Sequence, residues 1–519
     1  MNYKNNLNII FNDILDLKYF IIAYILILVF FSFSFYNLEN YLNPGFEIVI
    51  FLILGLIGAI SILYYNKNRK SLHKVVFLII MVFGILCLFT SPINDISDEQ
   101  EHFTHSEIVS QGEILTEYVQ IPGTNVSGYK TIHSIVLLAE NAGMNVFNSD
   151  VDDKKINHTV DYQNSAFSQN PFYGYLPQAI GIFIAKLFDL NTIWMLWLAR
   201  FFNLLLYGGI CAIAIKKAPI FKFPLFVAMC LPIAIYQGAS MSIDSTINAF
   251  SFLSIAYFLN MYKSPDDSIN WKTLTIFLVS CLLVGLIKIP YLLLGFLLYL
   301  IPKEKFKTFN QYIVSRIGVF GLFLIGILWN FGYATHQLKN SWRGEYFTEN
   351  NVSTKGQIEY IINNPSESIP RFLQIGNTIP NTFNRLFYFS NTALREYSSN
   401  LLGALYALFF GVFSLIYPSS IKIKLSNRVK LFLIASGIYI STFIIQYLSW
   451  APIGNDNLMN GVFGRYFISL LVFIPLIFGF NYKKIDILYK NKENLNLAII
   501  TLIIGFIAGM IILTISVKY

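Results

Sequence analysis

The sequence specifies an all-α polytopic membrane protein. Composition, the recurrence of apolar runs and the placing of basic residues between them carry that reading. Of 519 residues, 55% are hydrophobic and 13% charged, against about 25% charged in ordinary soluble domains. Mean hydropathy is +0.56. Apolar runs of roughly 20 residues, the length that crosses a bilayer's hydrocarbon core, recur along the chain. The net charge of +8 would suit a nucleic-acid binder. The positives sit in short clusters between apolar runs, however, which is the pattern of cytoplasmic membrane loops, so no nucleic-acid partner is expected.

The candidate spans are 18–36, 46–65, 75–92, 192–215, 219–237, 242–262, 273–288, 289–302, 311–334, 398–417, 430–450, 465–480 and 497–517, about 13 in all. The polar N-terminal stretch Asn2–Asn12 and the lack of a small-residue cleavage pattern make the first run an anchor. Basic clusters set the orientation. Lys67, Arg69, Lys70 and Lys74 follow the second run, and Lys216, Lys217 and Lys222 the fourth. Lys303, Lys305 and Lys307 follow the eighth, Lys422, Lys424, Arg428 and Lys430 the tenth, and Lys483, Lys484, Lys490 and Lys492 the twelfth. All fall on one side if the N-terminus is cytoplasmic.

Two choices make this agreement possible. The run 273–301 is folded as a hairpin of short helices broken at Lys288-Ile289-Pro290. The run 171–190 is left unspanned, as a helix lying in the outer interface. Two long hydrophilic segments, about 93–170 and 335–397, then face outward; the first is strongly acidic. In the second, Pro365, Pro370 and Pro380 separate short amphipathic pieces such as Ser368–Gly376 and Asn381–Phe389, expected on the membrane surface. Cys87, Cys211, Cys230 and Cys281 lie inside apolar runs and read as small buried side chains; no metal-binding cysteine spacing occurs.

Chemistry concentrates at Ser97-Asp98-Glu99-Gln100-Glu101-His102-Phe103, just past the third run. Ser97 as N-cap and Gln100 as its capping-box partner predict a short helix, with Gly112 as its stop. Asp98 and His102 lie one turn apart on one face, as do Glu101 and His105. On the same outer side stand Asp244, opening the sixth span, Lys288 at the hairpin tip, Arg465 opening the twelfth, and Arg200 and Asn203 in the outer half of the fourth. Ionisable groups at or within a span are costly and often functional. Each also has a plainer reading. Lys288 and Arg465 could snorkel to the interface, Asp244 could cap its helix, and His102 and His105 could be ordinary surface histidines. A carboxylate pair beside several cations suits sugar transfer from a lipid phosphate: a carboxylate takes the proton of an acceptor hydroxyl, and cations hold the leaving phosphate.

Several pieces of sequence carry a resemblance. They are Asp98-Glu99-Gln100-Glu101-His102-Phe103, Asn170-Pro171-Phe172-Tyr173-Gly174-Tyr175-Leu176-Pro177, Arg200-Phe201-Phe202-Asn203, and Leu231-Pro232 with Ser240-Met241-Ser242-Ile243-Asp244. Lys288-Ile289-Pro290-Tyr291 and Gly461-Val462-Phe463-Gly464-Arg465-Tyr466-Phe467 follow. In that order, over about 75–480, they resemble the bacterial predicted-membrane-protein family filed as domain of unknown function 2142, itself similar to GT-C glycosyltransferases. Ser97 stands where the family usually has proline. The resemblance implies a core over 75–480, an additional transmembrane pair over 1–74 and a C-terminal helix over 481–519. It implies an inverting transferase of the cell membrane with an extracytoplasmic active site. That enzyme would use a polyprenyl-phosphate sugar as donor and a cell-envelope glycan or glycolipid as acceptor, among membrane lipids. Asp98 and Glu99 would be catalytic, with Asp98 the base and Glu99 its partner or a positioning group. His102, Arg200, Asp244, Lys288 and Arg465 would bind substrate. Some relatives use a divalent cation, which Asp98, His102 and Asp244 could hold. A lipid-linked-glycan flippase, or a non-catalytic membrane scaffold, are the alternatives.

Overall fold

A computed structural model describes residues 12–35, 44–121, 124, 127–387, 400–417, 423–456, 461–479 and 492–519. Asn2–Phe11, Lys422, Lys483, Lys484, Lys490 and the end of the 381–389 piece lie outside them.

Helices α1 (Lys18–Phe35), α2 (Pro44–Lys67) and α3 (Leu72–Thr90) are unbroken and apolar. Beyond α3 the chain leaves the bundle to build a cap at one end. Helices α4 (Glu99–Ser110) and α5 (Ser134–Glu140) lie there with a small antiparallel sheet of β1 (Val119–Gln120), β2 (Ser127–Ile132) and β3 (Val160–Gln163), in the order β1-β2-β3. The register pairs Tyr129 with Gln163 and Ile132 with Val160. Gly128 admits the close approach of β3: at φ +149° a Cβ would stand 2.9 Å from the Gln163 carbonyl oxygen. No alternating pattern announced these strands, because they are short and the sheet is half covered by the cap.

Helix α6 (Leu176–Leu187) packs along α7 (Ile193–Lys217). Its 12 residues reach about 18 Å, short of a bilayer crossing. Helices α8 (Lys222–Met229) and α9 (Pro232–Gly238) replace the continuous span expected over 219–237, since Pro232 breaks the run. Helices α10 (Asp244–Lys263) and α11 (Trp271–Ile287) follow. Lys288 then ends α11, and a tightly wound 3-10 segment, Ile289–Leu300, returns against it. Helix α12 (Phe309–Trp329) continues through a π turn, Asn330–Ala334, into α13 (Thr335–Asn340). The 32 residues of this unit span about 48 Å, so it reaches out of any bilayer and into the cap. There the Tyr333 hydroxyl meets Thr116 at 2.8 Å, and the Gln337 amide donates to the Thr116 carbonyl.

Helices α14 (Trp342–Glu349), α15 (Thr354–Asn363), α16 (Pro365–Leu373) and α17 (Ile379–Phe387) complete the cap, and the prolines start or interrupt them as the sequence suggests. Helices α18 (Asn400–Ile416) and α19 (Leu425–Trp450) return to the bundle. The α17 end is fixed to α19 by Thr378 and Thr382, both bonded to the Tyr439 hydroxyl. A second 3-10 segment, Gly464–Val472, runs into α20 (Phe473–Phe478), and α21 (Lys492–Lys518) closes the chain. This last helix is almost wholly buried and packs on α1, α2 and α3. Its end is tied to the cap by Lys518 against Asp95 at 3.1 Å.

The protein is thus an all-α membrane protein with a minor sheet. Among the described residues, seven helical units are long and apolar enough to cross a bilayer: α1, α2, α3, α7, α12–α13, α19 and α21. Of the other apolar runs, 242–262 forms the continuous 20-residue α10 and the rest form shorter or interrupted pieces. The two 3-10 segments gain reach from their winding, about 2 Å per residue against 1.5 Å in an α-helix. All four cysteines are buried and unbridged.

Candidate functional site

The expected helix start needs one correction. Helix α4 begins at Glu99, and Asp98, not Ser97, occupies the N-cap position. Asp98 is left-handed at φ 67° and makes no side-chain cap. Aspartate tolerates that region better than most residues. The turn instead frees its carboxylate to reach across the molecule, while its backbone carbonyl accepts from His102 N–H at 3.1 Å. Gly112, at φ +94°, sits just past the helix end as expected.

The Asp98 carboxylate meets Arg465, whose Nη2 lies 2.8 Å from Oδ2. The Nε of Arg465 lies 2.7 Å from Asp244 Oδ2. Residues 367 positions apart in sequence therefore meet in one ion-pair network. Arg465 does not snorkel: its side chain is 2% exposed, Asp244 is 7% exposed, and Asp98, at 40%, is the accessible member. Asp244 is the first residue of α10, with Ile243 at the N-cap position. Asn203 fixes the turn before it through bonds to the carbonyls of Gly238, Ser240 and Ser242. Lys288 lies with its Nζ over the Tyr466 ring, 2.8 Å from the centroid, and also within electrostatic reach of Asp244 and Arg465. Tyr291 joins the two 3-10 segments, donating to the Tyr466 carbonyl and accepting from Ser469.

Glu99 and Arg200 belong to a different structure. Arg200 places Nε 2.9 Å and Nη2 2.7 Å from the two Glu99 oxygens. Its remaining N–H groups bond the carbonyls of Leu88, Ser91 and Pro92, where α3 ends. A guanidinium has five donors, so none is left for a substrate, and both side chains are 0% exposed. Glu99 additionally accepts from Met241 N–H at 3.0 Å. Arg200 is therefore not a substrate-binding group, nor Glu99 a group that touches substrate. The pair locks α4 to α3, α7 and the 238–243 turn, and so positions Asp98 and Asp244.

His102 is buried, its Nδ1 2.8 Å from the Tyr175 hydroxyl and its ring stacked on Phe167 at 4.3 Å. Asn170 donates to the same hydroxyl at 3.0 Å. His105 stands edge-on to Tyr175. Burial drives the His102 pKa down to about 4 despite the pull of Asp98 and Asp244, and that of His105 to about 3. Both are neutral at physiological pH, and neither is a surface histidine. Glu101 accepts from Ser165, from Ala166 N–H and from the Trp342 indole, which joins the two cap segments; burial raises its pKa.

A divalent cation does not fit this donor set. Arg465 already sits between the Asp98 and Asp244 carboxylates, and no group of three metal-ligating side chains occurs among the described residues.

Sequence reasoning missed Arg343. It lies in α14, 9% exposed, with its guanidinium carbon 3.4 Å from the Trp450 ring centroid and flanked by Trp342 and Phe167. Burial lowers its pKa to about 10, leaving it charged, and Glu101, Tyr466 and Asp98 act on it electrostatically. The available signal was Trp342-Arg343 itself, an aromatic-cation pair in a hydrophilic segment.

Fold and site define a helical membrane protein with a buried ion-pair network beneath a cap. The chain belongs to the DUF2142 family, described as a predicted membrane protein, whose family model matches residues 77–474. The match opens inside α3 and closes inside α20. No curated protein and no solved structure matches it.

Proposed function

We propose that the protein is a GT-C-type inverting glycosyltransferase of the cell membrane. It moves a sugar from a polyprenyl-phosphate carrier to a cell-envelope glycan or glycolipid on the extracytoplasmic face. On this reading the shorter and 3-10 apolar segments also cross, bringing the count to about thirteen and keeping the basic clusters cytoplasmic. The observation that carries the proposal is an accessible Asp98 carboxylate held 2.8 Å from a buried Arg465, with Lys288 close by. Asp98 accepts the proton of the acceptor hydroxyl as its oxygen attacks the anomeric carbon. The bond from that carbon to the carrier phosphate breaks, and nearby cations stabilise the charge on the departing phosphate. Asp244 holds Arg465, and His102 shapes the pocket as a neutral ring.

The test is restoration of a missing sugar. Envelope glycans of a deletion strain are compared by mass spectrometry after complementation with wild type or Asp98→Asn. Asp98→Asn should reach the membrane in normal amount and restore nothing; full restoration refutes the base assignment. A flippase for lipid-linked glycans is the second reading, favoured by the interrupted 3-10 segments that meet at Tyr291 and Tyr466. Movement of a fluorescent lipid-linked sugar across proteoliposomes without product would favour it. An envelope phenotype that survives loss of both Asp98 and Arg465 would mark a scaffold.

A further inference from the structure

We infer that Arg343 forms an anion-binding subsite that takes a phosphate ester beside the Asp98 site. The three arginines of this region are satisfied differently. Arg200 spends every donor on protein acceptors. Arg465 faces two carboxylates. Arg343 is 9% exposed, yet its Nε is buried without a hydrogen-bond partner, and among the described residues no carboxylate stands within ion-pair distance of it. What surrounds it is aromatic: Trp450, Trp342 and Phe167. Ring faces orient a guanidinium and partly offset its desolvation, but they leave its in-plane N–H fork unused. A planar fork held rigid with free donors matches phosphate oxygens.

Location ties this fork to the site. Phe167 stacks on His102 on one hand and borders Arg343 on the other. Tyr466 carries Lys288 over its ring and lies within electrostatic reach of both Arg343 and Asp98. The Glu101–Trp342 bond, at 3.1 Å, fixes the α14 end from which Arg343 projects. Which molecule brings the phosphate rests on the transferase reading; the anion subsite itself does not.

The experiment uses the full chain in lipid nanodiscs and isothermal titration. The probes are undecaprenyl phosphate, undecaprenol as the uncharged control, and inorganic phosphate. Wild type should prefer undecaprenyl phosphate to undecaprenol. Arg343→Gln should weaken that binding about 10- to 100-fold, while Arg343→Lys, which keeps charge but loses the fork, falls between. Inorganic phosphate binding that also depends on Arg343 would show that the free anion suffices; binding of the lipid phosphate alone would assign the source to the lipid. Equal affinity of Arg343→Gln and wild type, or no preference for the phosphorylated lipid in wild type, overturns the inference. Should Arg343→Gln not fold, Arg343→Lys decides: a several-fold loss of affinity supports the inference and wild-type affinity overturns it. Full glycan restoration by Asp98→Asn alongside Arg343-dependent binding would remove Asp98 as the transferase base and leave this inference standing.

Discussion

The Glu99–Arg200 pair offers the sharpest quantitative test, because every hydrogen bond in it is accounted for. Replacing Glu99 by Gln leaves the Arg200 charge buried, but three carbonyls still hold it. Breaking a buried ion pair costs about 3–5 kcal/mol, and this variant should lie near the lower bound. Replacing Arg200 by Met does more. It strands a fully buried carboxylate that keeps Met241 N–H as its main donor, and it leaves the carbonyls of Leu88, Ser91 and Pro92 without their guanidinium. Each orphaned buried acceptor adds roughly 1 kcal/mol or more, so on top of the ion-pair loss the total should reach about 6 kcal/mol. Replacing both, Glu99→Leu with Arg200→Met, should recover much of this, since desolvation of two charges is no longer required. Unfolding of the purified proteins in mixed micelles by SDS titration gives the two single losses and their coupling. Singles costing under about 1 kcal/mol, or a double variant as unstable as the sum of the singles, would refute the reading of this pair as the lock between cap and bundle.

Other consequences can be measured on the same preparations. Asp98→Asn removes one half-exposed partner of Arg465 and should cost no more than about 1 kcal/mol, so a large loss of folded protein would contradict its accessible position. Asp244→Asn breaks the buried half of the network and should cost about 3 kcal/mol; a smaller effect than that of Asp98→Asn would reverse the assigned roles. The folded-state pKa of His102 lies near 4 and that of His105 near 3, below the ordinary value of about 6.5. The unfolded chain therefore binds more protons below pH 6.5, and stability is complete above it and lost as pH falls toward 4. His102→Phe should flatten that decline by up to about 1.4 kcal/mol per pH unit, read from unfolding between pH 7 and 4.5; an unchanged slope would mean that the ring is not held neutral. Gly128→Ala should destabilise the cap by about 1–3 kcal/mol through its left-handed φ and its contact with Gln163, detectable as faster proteolysis of residues 119–163; unchanged proteolysis would refute the need for glycine.

Much of the bundle was legible because length and hydrophobicity are local properties. The ends of α1, α3, α7 and α21 fall within a few residues of the apolar runs. Lys288-Ile289-Pro290 marked a true break, since proline and a cation both oppose helix continuation. The small sheet was not legible, nor was the extension of α12 into the cap, because both depend on contacts with Thr116, Tyr129 and Gln163 that lie far apart in sequence.

The sequence by itself determined that this chain lives in a membrane, and which ionisable residues are costly enough there to need partners. Tertiary structure alone decided how the partners divide. Glu99 and Asp98 are neighbours on the chain, yet the left-handed turn at Asp98 sends one carboxylate to Arg200, in the dry interior, and the other, still partly exposed, to Arg465. A charge must find its counter-charge wherever water is excluded. Which counter-charge it finds is a property of the packed helices, because residues hundreds of positions apart become neighbours only when the bundle and its cap close together.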